Sequence, residues 1–290
     1  MHIKPILRML SAILLIVSCF MLGCGFLSII EGDMAHVGLS LFTAAGLGIV
    51  FFFVMTFISR NDEKLFLTNR EGFLFVTLSW GTASALGALP FTLSGYIPSY
   101  IDAFFETMSG FTTTGASILT NIEALPRALL LWRATTHWLG GMGIVVLLVA
   151  VLPALGFNAV RVVEAEAPGP SVDRITPHIS STAKTLWLIY LGLTLIEVLL
   201  LVIGGMPLFD AVCHAFATMA TGGFGTKNTS LAHYNSGFID WVVTIFMFLA
   251  ATNFTLHYRL LKGNLRDILK DTEFKVYFII CAVFSLIIAG

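Results

Sequence analysis

The chain has 290 residues, of which 57% are hydrophobic and 11% charged, and its mean hydropathy is +0.90. Soluble domains have about 45–50% apolar and about 25% charged residues, so a soluble core of this size could not bury so much apolar surface. A formal net charge of -1 excludes the basic face that nucleic acid requires. The four cysteines are spaced neither as zinc ligands nor as a disulfide framework, and no cofactor or metal centre is predicted. The composition therefore predicts an integral protein of the lipid bilayer.

Apolar runs long enough to cross a membrane recur along the chain, since a membrane helix needs about 20 mostly apolar residues. The first run is longer than the apolar stretch of about 7–15 residues in a signal peptide, which predicts that it is retained. The last run is still apolar where the sequence stops, which predicts that more chain follows. The seven runs are Leu10–Ile30, Val37–Ser59, Phe73–Gly95, Ala134–Leu155, Thr185–Ile203, Phe238–Leu256 and Val276–Gly290.

The positions of lysine and arginine predict the orientation. With the N-terminus in the cytoplasm, all of the 16 lysines and arginines fall in cytoplasmic segments except Arg127, Arg133 and Lys227. Cytoplasmic loops of membrane proteins carry an excess of these residues. A cytoplasmic N-terminus is therefore predicted.

Two apolar segments in predicted outer loops are too short to span the membrane. Residues 102–111 and 210–220 would reach about 15 Å as helices, half the thickness of the hydrocarbon core, which is typical of re-entrant helices. The two segments align at one constant offset, which matches Asp102 with Asp210, and Thr/Gly runs follow at 112–117 and 221–226. Aspartate is favoured at helix N-termini, so Asp102 and Asp210 are predicted N-caps.

The Thr/Gly runs are candidates for an ion selectivity filter. Irregular backbone at membrane depth is tolerated where it lines a wet cavity or is buried in protein, and rings of carbonyl oxygens can replace the hydration shell of potassium. The second run also has the Thr-x-Gly-aromatic-Gly pattern of potassium channels. The alternative is that both runs are simple turns between helices. The predicted ion-binding residues are Thr112, Thr113, Thr114, Gly115, Ala116, Thr221, Gly222, Gly223, Phe224 and Gly225.

Five motifs along the chain are distinctive when taken together. They are Met108–Ala116, His137–Ile144 continuing to Leu152-Pro153, Pro168-Gly-Pro170 with Thr176-Pro177, Thr182–Trp187 and Ala220–Phe224. With these motifs the chain resembles a known family, the membrane subunits of Trk-type potassium uptake systems (TrkH/KtrB-like, related to the plant HKT transporters). The resemblance covers the whole chain. In plant relatives, serine at the position of Gly115 accompanies sodium permeation, so the resemblance implies potassium as the transported ion.

The family fold implied by this resemblance is all-α, with four modules of span, re-entrant pore helix and span around one pore. It implies a bacterial cytoplasmic (inner) membrane protein, a homodimer, and a cytoplasmic nucleotide-binding regulatory subunit as partner. Two of the four modules would be present. Residues 1–71 would be two leading helices and a cytoplasmic loop, 72–158 the first module, 159–183 a cytoplasmic loop, 184–261 the second module, and 262–290 a loop and the start of a third.

Three charged residues near the predicted spans have open roles. Glu197, inside the fifth span, is a candidate pathway residue, or is neutral, or hydrogen-bonds between helices. Arg133 either orients pore carbonyls, as the resemblance suggests, or extends to the membrane interface, which is the commoner behaviour. Glu106 either raises the cation concentration at the pore mouth or is a structural carboxylate.

The sequence therefore predicts potassium uptake through a filter lined by carbonyl and threonine oxygens, and no enzymatic activity. A secondary carrier with broken helices, for sodium or another monovalent cation, shares the half-length helices, but its repeats are usually inverted and this one is parallel. A membrane enzyme is the third hypothesis. It would need ionisable groups gathered at one depth, and the spans contain little beyond Glu197 and His137.

Overall fold

The computed structural model describes residues 3–58, 69–143, 179–263 and 270–289. All regular structure in these ranges is helical, so the all-α prediction is confirmed. The second half of the predicted fourth span and the predicted cytoplasmic loop up to residue 178 lie outside the described residues. The α-helices are α1 (Ile3–Glu31), α2 (Ala35–Ile58), α3 (Asn69–Leu93), α4 (Tyr100–Phe111), α5 (Arg127–Gly141), α6 (Ile179–Ile203), α7 (Leu208–Met219), α8 (Gly237–Ala250), α9 (Phe254–Leu261) and α10 (Thr272–Ala289).

Four of the described helices, α1, α2, α3 and α6, are long and apolar enough to cross a membrane. An apolar helix suits the bilayer because its backbone polar groups are satisfied within the segment. The pair α8–α9 makes a fifth candidate if it is counted as one bent span. Large apolar side chains remain exposed on these helices, such as Phe57 and Ile203. The chain is thus a membrane protein, as its composition predicts.

The prediction of one continuous sixth span is wrong. Helix α8 ends at Ala250, and α9 begins at Phe254 with its axis turned by 99°. The Asn253 side chain caps α9 by accepting a hydrogen bond from the Thr255 N–H (3.0 Å). Asparagine offers backbone groups an alternative to helical hydrogen bonds and is therefore common at helix starts. The Thr252-Asn253 pair is the sequence signal for this break.

Helix α5 is the central element because it contacts both half-length helices, α4 and α7, and also α1. Its N-terminal end is tied to the turn between α1 and α2. The Arg127 guanidinium pairs with Glu31 (2.7 Å), and the Ala128 N–H donates to the Asp33 carboxylate (3.3 Å). On the other side, the Trp132 indole N–H donates to the Gly87 carbonyl of α3 (2.9 Å). The N-terminal half of α5 is thereby fixed both to the α1–α2 turn and to α3.

Candidate ion-binding site

The two half-length helices end in the same local structure. Thr113 follows α4 with φ of 53°, and Thr221 follows α7 with φ of 55°. In each case this threonine N–H bonds to the carbonyl three residues back, and the next N–H bonds to the carbonyl five residues back, at 2.9–3.0 Å. This pattern is the Schellman motif, which usually has glycine at the left-handed position. Threonine in that conformation costs of order 1–3 kcal/mol, and such strain clusters at functional sites.

The residues after these turns repeat the correspondence. Gly115 has φ of 75° and Gly223 has φ of 89°, a conformation that L side chains rarely adopt. The alignment that matches Asp102 with Asp210 thus relates left-handed backbone to left-handed backbone at two positions in each loop. We name 112–117 the first loop and 221–226 the second loop. The two loops therefore share a backbone conformation as well as a sequence pattern.

The two loops touch each other at their glycines. A Cβ atom on Gly115 would overlap the carbonyl oxygen of Gly222, so the first loop needs glycine at this position for close approach. Within the described part of the chain, no hydrogen bond reaches the carbonyl oxygens of 113–115 or 222–224. The carbonyl oxygen of Ala116 accepts from the Ser109 hydroxyl (2.6 Å), and that of Gly225 accepts from Arg133 (3.2 Å). The carbonyls in the middle of each loop therefore accept no hydrogen bond from the described residues.

Asp102 and Asp210 are not the N-caps, so that prediction is wrong. Ser99 caps α4, its hydroxyl accepting from the Asp102 N–H (3.4 Å), while Asp102 lies exposed in the first turn. Pro207 precedes α7 and makes no side-chain cap, whereas Asp210 is buried and accepts from the Thr226 hydroxyl (2.7 Å). The sequence signal was the serine three residues before Asp102, since serine caps as well as aspartate does.

A buried ion pair connects the two loops. The Arg133 Nε atom donates to Glu106 Oε1 at 2.7 Å, and the side chains are 3% and 0% exposed. Glu106 also accepts from the Ser117 hydroxyl (2.9 Å) and from the Ile118 N–H (3.0 Å). Because Arg133 donates to the Gly225 carbonyl as well, one pair holds the ends of both loops. Charge-assisted hydrogen bonds of this kind are roughly twice as strong as neutral ones.

These contacts decide the roles left open for Arg133 and Glu106. The interpretation of Arg133 as an interfacial side chain is wrong, because its guanidinium is buried against the second loop. Glu106 is a hydrogen-bonded structural carboxylate rather than a free charge at the mouth. The sequence could not show the pairing, because 27 residues separate the two. An arginine and a glutamate in apolar surroundings are nevertheless a signal for such a pair.

Phe224 is held between two side chains of α5. The Arg133 guanidinium lies 3.4 Å from the centroid of the Phe224 ring, and the His137 ring stacks on it with centroids 3.8 Å apart. Arg133 and His137 are four residues apart and so share one face of α5. The Phe224 N–H also points to His137 Nδ1 at 3.4 Å. His137 is a contact of the second loop that sequence reasoning missed.

The two segments that follow the loops are hydrogen-bonded to one another. The Asn228 side chain accepts from the Ile122 N–H (2.8 Å) and donates to Asn121 (3.1 Å), while the Asn228 N–H donates to Glu123 (3.0 Å). Asn228 lies two residues beyond the second loop, and 121–123 lies four residues beyond the first. The loops are thus held together by the segments that follow them as well as by Glu106 and Arg133.

Glu197 lies fully buried in α6, away from these hydrogen-bond networks. Neither of its carboxylate oxygens has a hydrogen-bond partner among the described residues. The neighbouring Thr218 hydroxyl of α7 donates to the His214 carbonyl instead (2.9 Å). The structure therefore brings together Glu106, Arg133 and both loops, but not Glu197.

Helix α5 approaches the ends of both half-length helices through adjacent glycines. A Cβ atom on Gly140 would overlap the carbonyl oxygen of Phe111, and one on Gly141 would lie 2.5 Å from Ala220 Cα. Phe111 and Ala220 immediately precede the first loop and the second loop. Small residues at these positions allow helix backbones to approach closely.

We expect Gly140→Ala to lower the thermal stability of the full-length protein in detergent. The atoms it would strike are backbone and cannot turn away, and overpacking of this kind costs about 1–3 kcal/mol. Gly192→Ala on α6 is the matched control, because nothing lies within 4 Å of the added Cβ. Thermal unfolding followed by tryptophan fluorescence gives the comparison. Equal melting temperatures for the two variants would contradict this packing.

Known proteins resemble this chain in sequence and in fold. The profile of the TrkH family, described as "Cation transport protein", matches residues 40–288. The Trk system potassium uptake protein TrkH of Salmonella typhimurium is 40% identical over 282 residues, which cover 96% of this chain and 57% of that protein. The TrkH protein of Vibrio parahaemolyticus is 36% identical over 292 residues, covering 99% of this chain and 60% of that protein.

A solved structure of the same family has a similar fold. The crystal structure of the potassium transporter TrkH from Vibrio parahaemolyticus superposes with a TM-score of 0.81 and 34% identity, covering 99% of this chain and 58% of that chain. The present chain thus spans a little over half the length of the relatives it matches. The family profile, the relatives and the fold agree, and the chain belongs to the TrkH family of cation transport proteins.

Proposed function

We propose that the full-length protein takes up potassium across the bacterial cytoplasmic membrane as the ion-conducting subunit of a Trk-type system. The observation that carries this proposal is the repeated backbone of the two loops, with left-handed residues at matched positions and a direct contact between Gly115 and Gly222. Relatives of this chain are named as Trk system potassium uptake proteins, which supports the same ion.

The proposed coordinating atoms are the carbonyl oxygens in the middle of each loop, at 113–115 and 222–224, together with the threonine oxygens of 112, 114 and 221. Carbonyl rings of this kind replace the hydration shell of potassium. The C-terminal ends of α4 and α7 precede the loops, so both helices direct partial negative charge at a cation there. We omit the carbonyls of Ala116 and Gly225 from the set because they accept hydrogen bonds from the protein.

The proposed assembly follows the family. The N-terminus lies in the cytoplasm, two copies form a homodimer, and a nucleotide-binding subunit regulates the protein from the cytoplasmic side. The excess of lysine and arginine in the predicted cytoplasmic segments supports the orientation. Antibody labelling of an N-terminal tag in intact and permeabilised cells tests it, and labelling of intact cells would contradict it.

Growth of cells that lack other potassium importers tests the proposed transport. We expect the full-length protein to restore growth and rubidium uptake at low potassium, and excess sodium to compete poorly. The variant Gly115→Ser with Gly223→Ser is the comparison in which we expect sodium to compete well, since both substitutions fall on the strained loop backbone. Restored growth without rubidium uptake, or uptake that sodium abolishes, would contradict a potassium filter at these loops.

We propose that Glu197 is protonated and takes no part in conduction. An ionised carboxylate without a partner is unfavourable in a buried apolar site, so the neutral acid has the lower free energy there. Glu197→Gln copies the shape of the neutral acid and is expected to leave rubidium uptake within about twofold of the parent. A large loss of uptake in this variant would instead place Glu197 on the ion pathway.

A further inference from the structure

A cluster of polar side chains lies against the C-terminal end of the second loop. It consists of Asp210 and His214 of α7, Thr226 at the end of the second loop, and Tyr234 of the short helix Ser230–Tyr234. We name this cluster the outer polar pocket. The Thr226 hydroxyl donates to Asp210 (2.7 Å), the His214 and Tyr234 rings meet edge to face with centroids 5.8 Å apart, and Gly225 lies against the His214 ring.

Two polar atoms in the outer polar pocket have no hydrogen-bond partner. They are His214 Nε2 and the Tyr234 hydroxyl, and both are shielded from solvent. The His214 residue is only 5% exposed. The Tyr234 hydroxyl lies near Thr226 and Asp210, in hydrogen-bond geometry with neither. More than 90% of buried polar groups in proteins have a partner, which is either protein or ordered water. Neither atom is therefore satisfied by the described residues around it.

The internal repeat allows His214 to be compared with the matched residue of the first module. The alignment that matches Asp102 with Asp210 also matches Glu106 with His214, and it matches Ser117 and Ile118 with Gly225 and Thr226. In the first module, the two Glu106 oxygens reach across and accept from Ser117 and Ile118. In the second module, the imidazole of His214 makes no such bond from Nε2.

We propose that a bound water molecule in the outer polar pocket bridges His214 Nε2 and the Tyr234 hydroxyl and anchors the second loop. Water suits the site because buried waters typically join two to four otherwise unsatisfied polar groups. The water and the Asp210–Thr226 bond together would do for the second loop what Glu106 does for the first. His214 and Tyr234 are then positioning residues for the filter.

A density map of the full-length protein at a resolution that shows ordered water is the direct test. We expect one peak within hydrogen-bond distance of both His214 Nε2 and the Tyr234 hydroxyl, and its loss in Tyr234→Phe. An empty pocket, a direct bond between the two side chains, or density with the short contacts of a cation would each overturn the proposal. This readout does not depend on transport, whereas the role in uptake rests on the proposed function.

Rubidium uptake with sodium competition tests the role of the pocket. Tyr234→Phe and His214→Leu are expected to reduce discrimination against sodium about three- to tenfold, since losing one buried hydrogen bond is worth roughly that factor. His214→Gln should retain discrimination, because its side-chain amide can still hydrogen-bond to the bridging water. His233→Gln, an exposed neighbour, is the control. If Tyr234→Phe and His214→Leu both match that control, the anchoring role is wrong.

Discussion

Replacing Gly115 by serine is expected to lower the preference of the full-length protein for potassium over sodium about tenfold. A side chain at φ of 75° costs of order 1–3 kcal/mol, and its Cβ would overlap the Gly222 carbonyl oxygen. The first loop or the Gly222 carbonyl must therefore move. A change of about 1.4 kcal/mol in relative ion binding is a factor of ten. Rubidium uptake at rising sodium concentration measures the effect.

Two further variants make this prediction specific. Gly223→Ser should have a smaller effect than Gly115→Ser, because its φ of 89° is strained but nothing lies within 4 Å of the added Cβ. Gly46→Ser in α2 should have none, since Gly46 has ordinary helical backbone and open space around it. If Gly115→Ser and Gly223→Ser both leave uptake and its sodium sensitivity unchanged, the loops are only turns and the filter assignment is wrong.

Replacing Glu106 by alanine is expected to cause the largest loss of stability among single substitutions in this region. Breaking a buried ion pair by removing one partner costs about 3–5 kcal/mol, because the other charge remains buried and unpaired. The same change also removes the acceptor for Ser117 and Ile118. We therefore expect a marked fall in melting temperature in detergent and a loss of potassium-dependent growth.

The exposed pair of Arg127 and Glu31 provides the matched control. Its N–O distance is also 2.7 Å, but the arginine side chain is 56% exposed. Exposed pairs contribute about 0–1 kcal/mol, so Arg127→Ala should change the melting temperature little. Glu106→Met combined with Arg133→Met should recover part of the stability lost in Glu106→Ala, since no charge is then left unpaired. Similar melting temperatures for Glu106→Ala and Arg127→Ala would show that burial does not govern this pair.

The double variant also separates stability from ion selectivity. It restores neither the bond to the Gly225 carbonyl nor the acceptor for Ile118, so we expect sodium discrimination to stay low when stability returns. Recovery of both properties together would mean that the ion pair only stabilises the fold and does not position the loops.

The sequence by itself determined the features that depend on local chemistry. Long apolar runs predict helices in lipid because the backbone must satisfy its own polar groups there. The constant offset between the two repeats predicted that the half-length helices and the Thr/Gly loops are related, and the matched φ values agree with this. The Thr252-Asn253 break and the Ser99 cap also depend on local chemistry, because Asn and Ser side chains accept hydrogen bonds from the first free N–H groups of a helix.

Only the tertiary structure decided the partners of the charged side chains. Arg133 pairs with Glu106, stacks on Phe224 and reaches Gly225, residues that are 27 to 92 positions away in sequence. An arginine at a predicted membrane boundary is compatible with either water or a buried carboxylate, and burial alone distinguishes the two. His137, Asn228 and the outer polar pocket depend in the same way on how α5 and α7 pack. Local sequence specifies backbone conformation, whereas the environment of a charge is set by whatever the fold places around it.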